Sequence, residues 1–443
     1  MDQPLQPLIT RQRLGLLAAL FTLLAGIYLL TYSGRIESGD TLSLFDAATS
    51  LYYYGDDLFD QSVAVNMPPS GADNRLYPLT SIEVEPLHDL LALGLINVAD
   101  RLPGVGLVHT VWLLNIFLSA AAVGTLFVYA LALGYSEITG VLAALIFGLA
   151  TILWPYSKTF FREPLALWLT LLAALMLERW RTRRYRSVPL LIGSGLALGG
   201  AFFSKEAVVF AIPSLILIAL PTLPVLPHWL RRLERWALRL VLLGVALFIV
   251  TSIFAQGIDF APMYVFLARL SGQRWWHIAR MHSALHSYLL SPGGSIWGTS
   301  PVVLLALPGM WRLYRSGRTR YLWVPLLMLL AFAGGYTYLR GIHWFGGLSW
   351  PPRFLMPVVP FLLLAALPVL ERLTRKPWPK GWMAGGVLLI GYSVWVQLSG
   401  VTLPWGAYTA ALPTEANGLS EWGGGLNVVQ YFRWFVIPGL WSQ

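Results

Sequence analysis

The chain has 443 residues, of which 56% are hydrophobic and 12% are charged, and its mean hydropathy is +0.63. Soluble proteins carry about 25% charged residues, so this composition predicts a polytopic membrane protein. It excludes the collagen-like, disordered and disulfide-scaffold classes. Cysteine is absent, which excludes disulfides, thiol catalysis and cysteine-ligated metals.

Apolar runs that approach the roughly 20 residues needed to cross a bilayer predict an all-α protein with about eleven transmembrane helices. They lie at 14–32, 107–134, 138–154, 164–178, 188–203, 207–220, 237–256, 300–314, 321–338, 354–370 and 382–400, within a transmembrane domain over 1–400. The first run follows two arginines, as in a signal peptide. Because Tyr32-Ser33-Gly34 is a poor cleavage site, we predict an uncleaved anchor.

Basic residues are concentrated in every second connection between these runs. Most of the 31 lysines and arginines fall on one side if the N-terminus is cytoplasmic, as the positive-inside rule requires. The chain is then a multi-pass protein of the cytoplasmic membrane with an extracytoplasmic C-terminus. A cytoplasmic belt of arginines facing anionic headgroups accounts for the net charge of +10, so we predict membrane lipid as a partner and no nucleic acid.

The external side carries most of the irregular polar sequence. Residues 33–106 form a long first loop in which 41–54 and 85–101 have helical spacing. Both segments are too short and too polar to span, so we predict two helices that lie in the membrane interface. Residues 256–299 form a second long external loop, and 401–443 form a tail rich in glycine and tryptophan.

Asp40 is the first candidate functional residue. It lies in Ser38-Gly39-Asp40-Thr41, the polar segment that follows the first apolar run. A carboxylate at this point could be a buried general base just above the membrane. It could also cap the 41–54 helix through backbone N–H groups. The two interpretations stay open, and Asp46 is the next carboxylate along the same segment.

Two external connections place charges at the outer level of the bundle. Lys158, Arg162 and Glu163 lie between the third and fourth runs, where snorkelling at helix ends is the alternative to a functional role. Lys205 lies in a hinge between two apolar runs. It could meet a lipid phosphate, or it could simply pair with Glu206 and end two helices.

Residues 343–354 combine two glycines, two prolines, Trp344 and Arg353 between the ninth and tenth runs. The glycines let a ligand approach the backbone, and the arginine fork suits phosphate oxygens. His282 and His286 are one helical turn apart, but no acidic residue lies near them, so we predict no metal site. The sequence has no P-loop or GxSxG motif, so an activated donor on the outer face must arrive attached to lipid.

Together these motifs resemble the GT-C superfamily of polytopic glycosyltransferases that use polyprenyl-phosphate sugars. The similar segments are Gly39-Asp40-Thr41 through Gly55-Asp56, Phe161 to Ala166, Lys205, and Trp344 to Arg353. The resemblance covers most of 1–370. It departs from the family at Thr41, where relatives usually carry a second acid, and this leaves Asp40 as the base.

The resemblance implies a GT-C-like fold and an inverting transfer of a sugar from a polyprenyl-phosphate donor to a glycan, lipid or protein acceptor. It implies catalytic roles for Asp40, as general base, and for Glu163. It implies substrate binding by Asp46, Lys158, Arg162, Lys205, Trp344 and Arg353. No cofactor is implied, and a divalent metal is left open.

Two alternatives remain at this stage. An enzyme of the O-antigen ligase or polymerase type usually relies on external arginines and a histidine in a large loop, and Arg274, His277 and Arg280 fit that pattern. A catalytically inactive membrane scaffold is the other. The few polar residues near the middle of the predicted spans are uncharged, which argues against ion-coupled transport.

Overall fold

The computed structural model describes residues 10–36, 38–55, 85–221, 228–254, 261–272, 274–290, 294–340, 349–375, 380–402 and 405. Across these residues the chain forms helices and their connections, and no strand occurs among them. The predicted all-α class is confirmed for this part of the chain.

The described residues of the first half of the chain form nine α-helices. They are α1 (Arg11–Leu30), α2 (Gly39–Tyr53), α3 (Leu87–Arg101), α4 (Leu107–Ala132), α5 (Glu137–Leu149), α6 (Leu153–Ser157), α7 (Glu163–Thr182), α8 (Val188–Ser204) and α9 (Ile212–Ala219). A 3₁₀ helix, Glu206–Ala211, leads directly into α9.

The described helices of the second half are α10 (His228–Phe254), α11 (Ala261–Ser271), α12 (Trp275–Leu289), α13 (Ile296–Thr299), α14 (Ala306–Arg315), α15 (Arg320–Arg340), α16 (Val359–Arg375) and α17 (Lys380–Thr402). Two further 3₁₀ helices precede α14 and α16, at Pro301–Leu305 and Arg353–Val358.

Five helical stretches of the described chain are long and apolar enough to cross a membrane, which is consistent with a membrane protein. They are Arg11–Leu30, Leu107–Ala132, Arg320–Arg340, Arg353–Arg375 and Met383–Thr402. The predicted count of eleven spans is not reproduced. The sidedness of the termini stays a prediction.

The difference has a local cause in five of the six remaining runs. Three predicted spans become the shorter apolar helices Glu137–Leu149, Val188–Ser204 and Glu206–Ala219. The run at 300–314 divides between a 3₁₀ helix and α14. The run at 164–178 lies in α7, whose last turns carry three charged residues. Apolar runs alone therefore predict spans where the structure has helices that are shorter, interrupted or charged at their ends.

The two predicted helices of the first loop are present as α2 and α3, and both pack against α4. Leu44 of α2, Ile96 of α3 and Trp112 of α4 belong to one buried cluster. Ser38 is the N-cap of α2, and it forms a capping box with Thr41. Asp40 therefore lies in the first turn without being the cap, so the interpretation of Asp40 as the capping residue is wrong.

Contacts between helix ends divide the bundle into two opposite ends. At one end Arg13 Nε lies 2.7 Å from Glu137 Oε1, which joins the starts of α1 and α5. At the other, Trp154 Nε1 donates to Thr31 Oγ1 at 3.1 Å, beyond the C-terminus of α1. The side of the membrane on which each end lies stays a prediction.

The stretch Arg353–Arg375 is the most buried of the five long apolar stretches. Gly309 allows α14 to approach it closely, since a Cβ at Gly309 would collide with the backbone of Ala365. Because Arg353 begins this central stretch, its guanidinium group lies inside the bundle rather than on its rim.

Candidate functional site

Four charged side chains from separate segments meet at the end of the bundle where α7 and α16 begin. Lys205 Nζ lies 2.6 Å from Glu163 Oε1. Arg353 Nη2 donates to Asp40 Oδ2 at 2.8 Å, and Arg353 Nε lies 3.4 Å from Glu163 Oε1. We call Asp40, Glu163, Lys205 and Arg353 the charged cluster.

Each member of the charged cluster occupies the end of a helix, where the sequence itself sets its position. Asp40 lies in the first turn of α2, and Glu163 is the first residue of α7, followed by a proline. Carboxylates at helix N-termini are favoured by the helix dipole. Lys205 ends α8 as its C-cap, and Arg353 opens the 3₁₀ helix before α16.

Burial differs sharply within the charged cluster. The side chains of Glu163 and Arg353 are only 2% and 7% exposed, whereas that of Asp40 is 55% exposed. Buried charges require partners because desolvation is costly, and Glu163 supplies one for both cations. The expectation of a buried Asp40 is wrong, since the described structure leaves this carboxylate open to solvent.

Aromatic rings surround the two cations. The Arg353 guanidinium carbon lies 4.4 Å from the centre of the Phe161 ring and 4.9 Å from that of Phe354. Lys205 Nζ lies 5.4 Å from the Phe354 ring, which stacks on Tyr336. These contacts stabilise the cations electrostatically and take the place of water around them. Sequence reasoning missed these rings, although Phe161 and Phe354 flank motifs that it singled out.

The charged cluster holds Glu163 in its ionised form. Burial raises the pKa of Glu163, but Lys205 and Arg353 together lower it by more, so its pKa lies below the ordinary value. At neutral pH this carboxylate therefore carries a negative charge between the two cations.

Arg162 forms a neighbouring ion pair network of its own. Its Nη1 lies 3.0 Å from Glu85 Oε2, and its Nη2 lies 2.5 Å from Asp89 Oδ2. The side chain of Arg162 is 5% exposed, so snorkelling towards solvent does not describe it. These contacts fasten the start of α7 to α3, and sequence reasoning did not identify either acidic partner.

Asn115 fixes the connection that leads into Glu163. Its amide Nδ2 donates to the carbonyl oxygens of Thr159 and Phe161, both at 2.7 Å. Its Oδ1 lies 3.4 Å from Nε2 of His88. Asn115, a polar residue within the second predicted span, thus has a structural role, because it fixes the backbone conformation of the segment that carries Phe161 and leads into Glu163.

The remaining predicted site residues lie elsewhere. Lys158 is 1% exposed, donates to the carbonyl of Val401 at 2.8 Å and lies 5.6 Å from the Trp405 ring, so it fastens the end of α17 instead of snorkelling. Asp46 is buried along α2. Trp344 lies outside the described residues.

The residues that suggested a ligase-type enzyme, Arg274, His277 and Arg280, belong to α12 and its N-cap. Arg274 is the N-cap residue, and the side chain of Arg280 lies outside the described set. Burial lowers the pKa of His282, and the neighbouring His286 lowers it further. Within the described ranges no group of three or more His, Asp or Glu side chains is arranged to hold a metal ion.

The charged cluster places an accessible carboxylate beside one buried cation, Arg353, and one partly buried cation, Lys205. Such a set can remove a proton at Asp40 and stabilise negative charge at Lys205 and Arg353. Comparison with protein-family models gives no match to this chain, and comparison with curated proteins gives none either. The GT-C resemblance therefore stays a prediction based on the motifs and their order.

Proposed function

We propose that this chain is an inverting glycosyltransferase that moves a sugar from a polyprenyl-phosphate donor to an acceptor on the extracytoplasmic face of the membrane. One observation carries the proposal. Asp40, Glu163, Lys205 and Arg353 come from separate motifs, and they are in contact as a single cluster. Displacement of a phosphate leaving group needs a base and a source of positive charge in one place.

Asp40 is the general base in this proposal. The acceptor oxygen bonds to the anomeric carbon while the bond from that carbon to the phosphate oxygen breaks. The phosphate oxygen keeps the electron pair and leaves as polyprenyl phosphate, and Asp40 takes the hydroxyl proton. The 55% exposure of its side chain leaves room for an acceptor to reach the carboxylate. A single displacement of this kind inverts the anomeric centre.

Lys205 and Arg353 stabilise the charge that develops on the leaving phosphate. Arg353 donates a hydrogen bond to Asp40 at 2.8 Å. When a donor phosphate binds this guanidinium group instead, the Asp40 carboxylate becomes free to act as the base. Deprotonation of the acceptor then depends on prior binding of the donor. Glu163 contacts both cations and holds them in position while they exchange partners.

The test uses the full chain in proteoliposomes, with polyprenyl phosphates carrying different single hexoses or pentoses as donors and bacterial envelope glycolipids as acceptors. Release of polyprenyl phosphate is measured by mass spectrometry, since this product forms whatever the acceptor. Asp40→Asn keeps the size of the side chain and is expected to lower the rate by at least about 100-fold. Donor binding should remain.

Asp100→Asn is the matched control, because Asp100 is an exposed carboxylate on α3 that accepts a hydrogen bond from Tyr53 at 3.1 Å. It should transfer at the wild-type rate. A wild-type rate for Asp40→Asn would remove the base role from Asp40. If changes at Arg274 and His277 abolished transfer instead, the ligase-type alternative would replace this proposal. A wild-type chain that neither binds nor turns over any donor would indicate a scaffold.

A further inference from the structure

A second candidate site lies at the opposite end of the bundle, where the basic connections gather. It is a cavity of about 600 Å³ between the end of α7, α9, the start of α10 and the start of α15. This volume lies within the range of about 300–1,000 Å³ that is usual for small-molecule sites. One wall is apolar and includes Leu217, Leu220, Leu233 and Ala237.

The charged residues of the cavity leave an excess of positive charge. Arg181, Arg318, Arg320 and Glu234 all line it. The charge of Arg181 is neutralised by Glu178, a buried residue that does not line the cavity, since Arg181 Nη2 lies 2.5 Å from Glu178 Oε1. Arg318, Arg320 and the single carboxylate of Glu234 remain, so the charged residues that line the cavity carry one more positive than negative charge.

Arg320 has hydrogen-bonding capacity that the described protein does not use. Its Nη2 donates to the carbonyl of Pro221 at 3.0 Å. Its Nη1 is buried, and no described residue accepts a hydrogen bond from it. A buried donor left without a partner is destabilising, and the planar guanidinium fork matches the oxygens of a phosphate group.

We infer that this cavity binds the phosphodiester headgroup of an anionic phospholipid. The phosphate contacts Arg318 and Arg320, and the first part of an acyl chain lies along Leu217 and Leu233. A phosphodiester carries one negative charge, which equals the excess charge of the cavity. Basic pockets between membrane helices on the cytoplasmic side are suited to such headgroups. This site is separate from the charged cluster and does not depend on glycosyl transfer.

The test measures thermal unfolding of the full chain in nonionic detergent during titration with phosphatidylglycerol, phosphatidylcholine or inorganic phosphate. Phosphatidylglycerol should raise the Tm in a saturable way, and the other two should not. Arg320→Gln should weaken the apparent affinity for phosphatidylglycerol by about fivefold or more. Ala237→Trp fills the apolar wall, keeps every charge and should also weaken binding.

Arg186→Gln is the matched control, because Arg186 is an exposed arginine in the connection between α7 and α8, at the same end of the bundle. It should bind phosphatidylglycerol like the wild type. Equal stabilisation by phosphatidylcholine, or by inorganic phosphate, would overturn the assignment to an anionic lipid. Wild-type affinity in Ala237→Trp would overturn it as well, and that variant decides the question if Arg320→Gln does not fold.

Discussion

Replacing Glu163 by glutamine perturbs the charged cluster at the group that contacts both cations. The variant keeps the size of the side chain, but it removes the carboxylate that pairs with Lys205 and leaves Arg353 with Asp40 alone. The side chains of Lys205 and Glu163 are only 15% and 2% exposed. Breaking a buried pair by removing one partner costs roughly 3 kcal/mol or more, because the remaining charge is not compensated.

This free energy corresponds to a measurable change in Tm. An unfolding entropy of about 2.1 cal/mol/K per residue, over 443 residues, converts about 3 kcal/mol into a fall of about 3 °C. The measurement is thermal unfolding of the purified chain in nonionic detergent at neutral pH. The double variant Glu163→Gln/Lys205→Met removes both members of the pair and should recover part of this fall.

Glu137→Gln provides the control, since Glu137 pairs with Arg13 and the two side chains are 28% and 24% exposed. Ion pairs with this access to solvent contribute about 1 kcal/mol or less, so its Tm should fall by about 1 °C at most. The reasoning is refuted if Glu163→Gln falls no further than Glu137→Gln. It is equally refuted if the losses in the double variant are strictly additive.

Two further predictions concern the same region. Because the folded pKa of Glu163 lies below its ordinary value of 4.5, its stabilisation is present above that value and is lost as the pH falls through the folded pKa. The Tm difference between the wild type and Glu163→Gln should therefore narrow as the pH falls below 4.5, and a constant difference would contradict this. Asn115→Ala removes hydrogen bonds to two buried carbonyls, at roughly 1 kcal/mol each, and should lower the Tm by about 2 °C. An unchanged Tm would show that the connection before Glu163 holds its shape without Asn115.

The positions of several helices and of the residues at their ends could be predicted from the sequence, because they depend on residues that are adjacent along the chain. The helices at 41–54 and 85–101 follow from apolar spacing, and they are present as α2 and α3. The helix-end positions of Asp40 and Glu163 follow from local signals such as Ser38 and Pro164.

The tertiary structure alone decided which charges meet. Lys158, Arg162 and Glu163 lie close together in sequence, yet they point to three different partners, at Val401, Asp89 and the cations of the charged cluster. Contacts between segments as far apart as Asp40 and Arg353 have no local signal, since each depends on how whole helices pack. Sequence by itself determined where the polar helix ends are. Packing determined which of them share a site, because an ion pair needs atoms within a few ångströms and the chain between them sets no such distance.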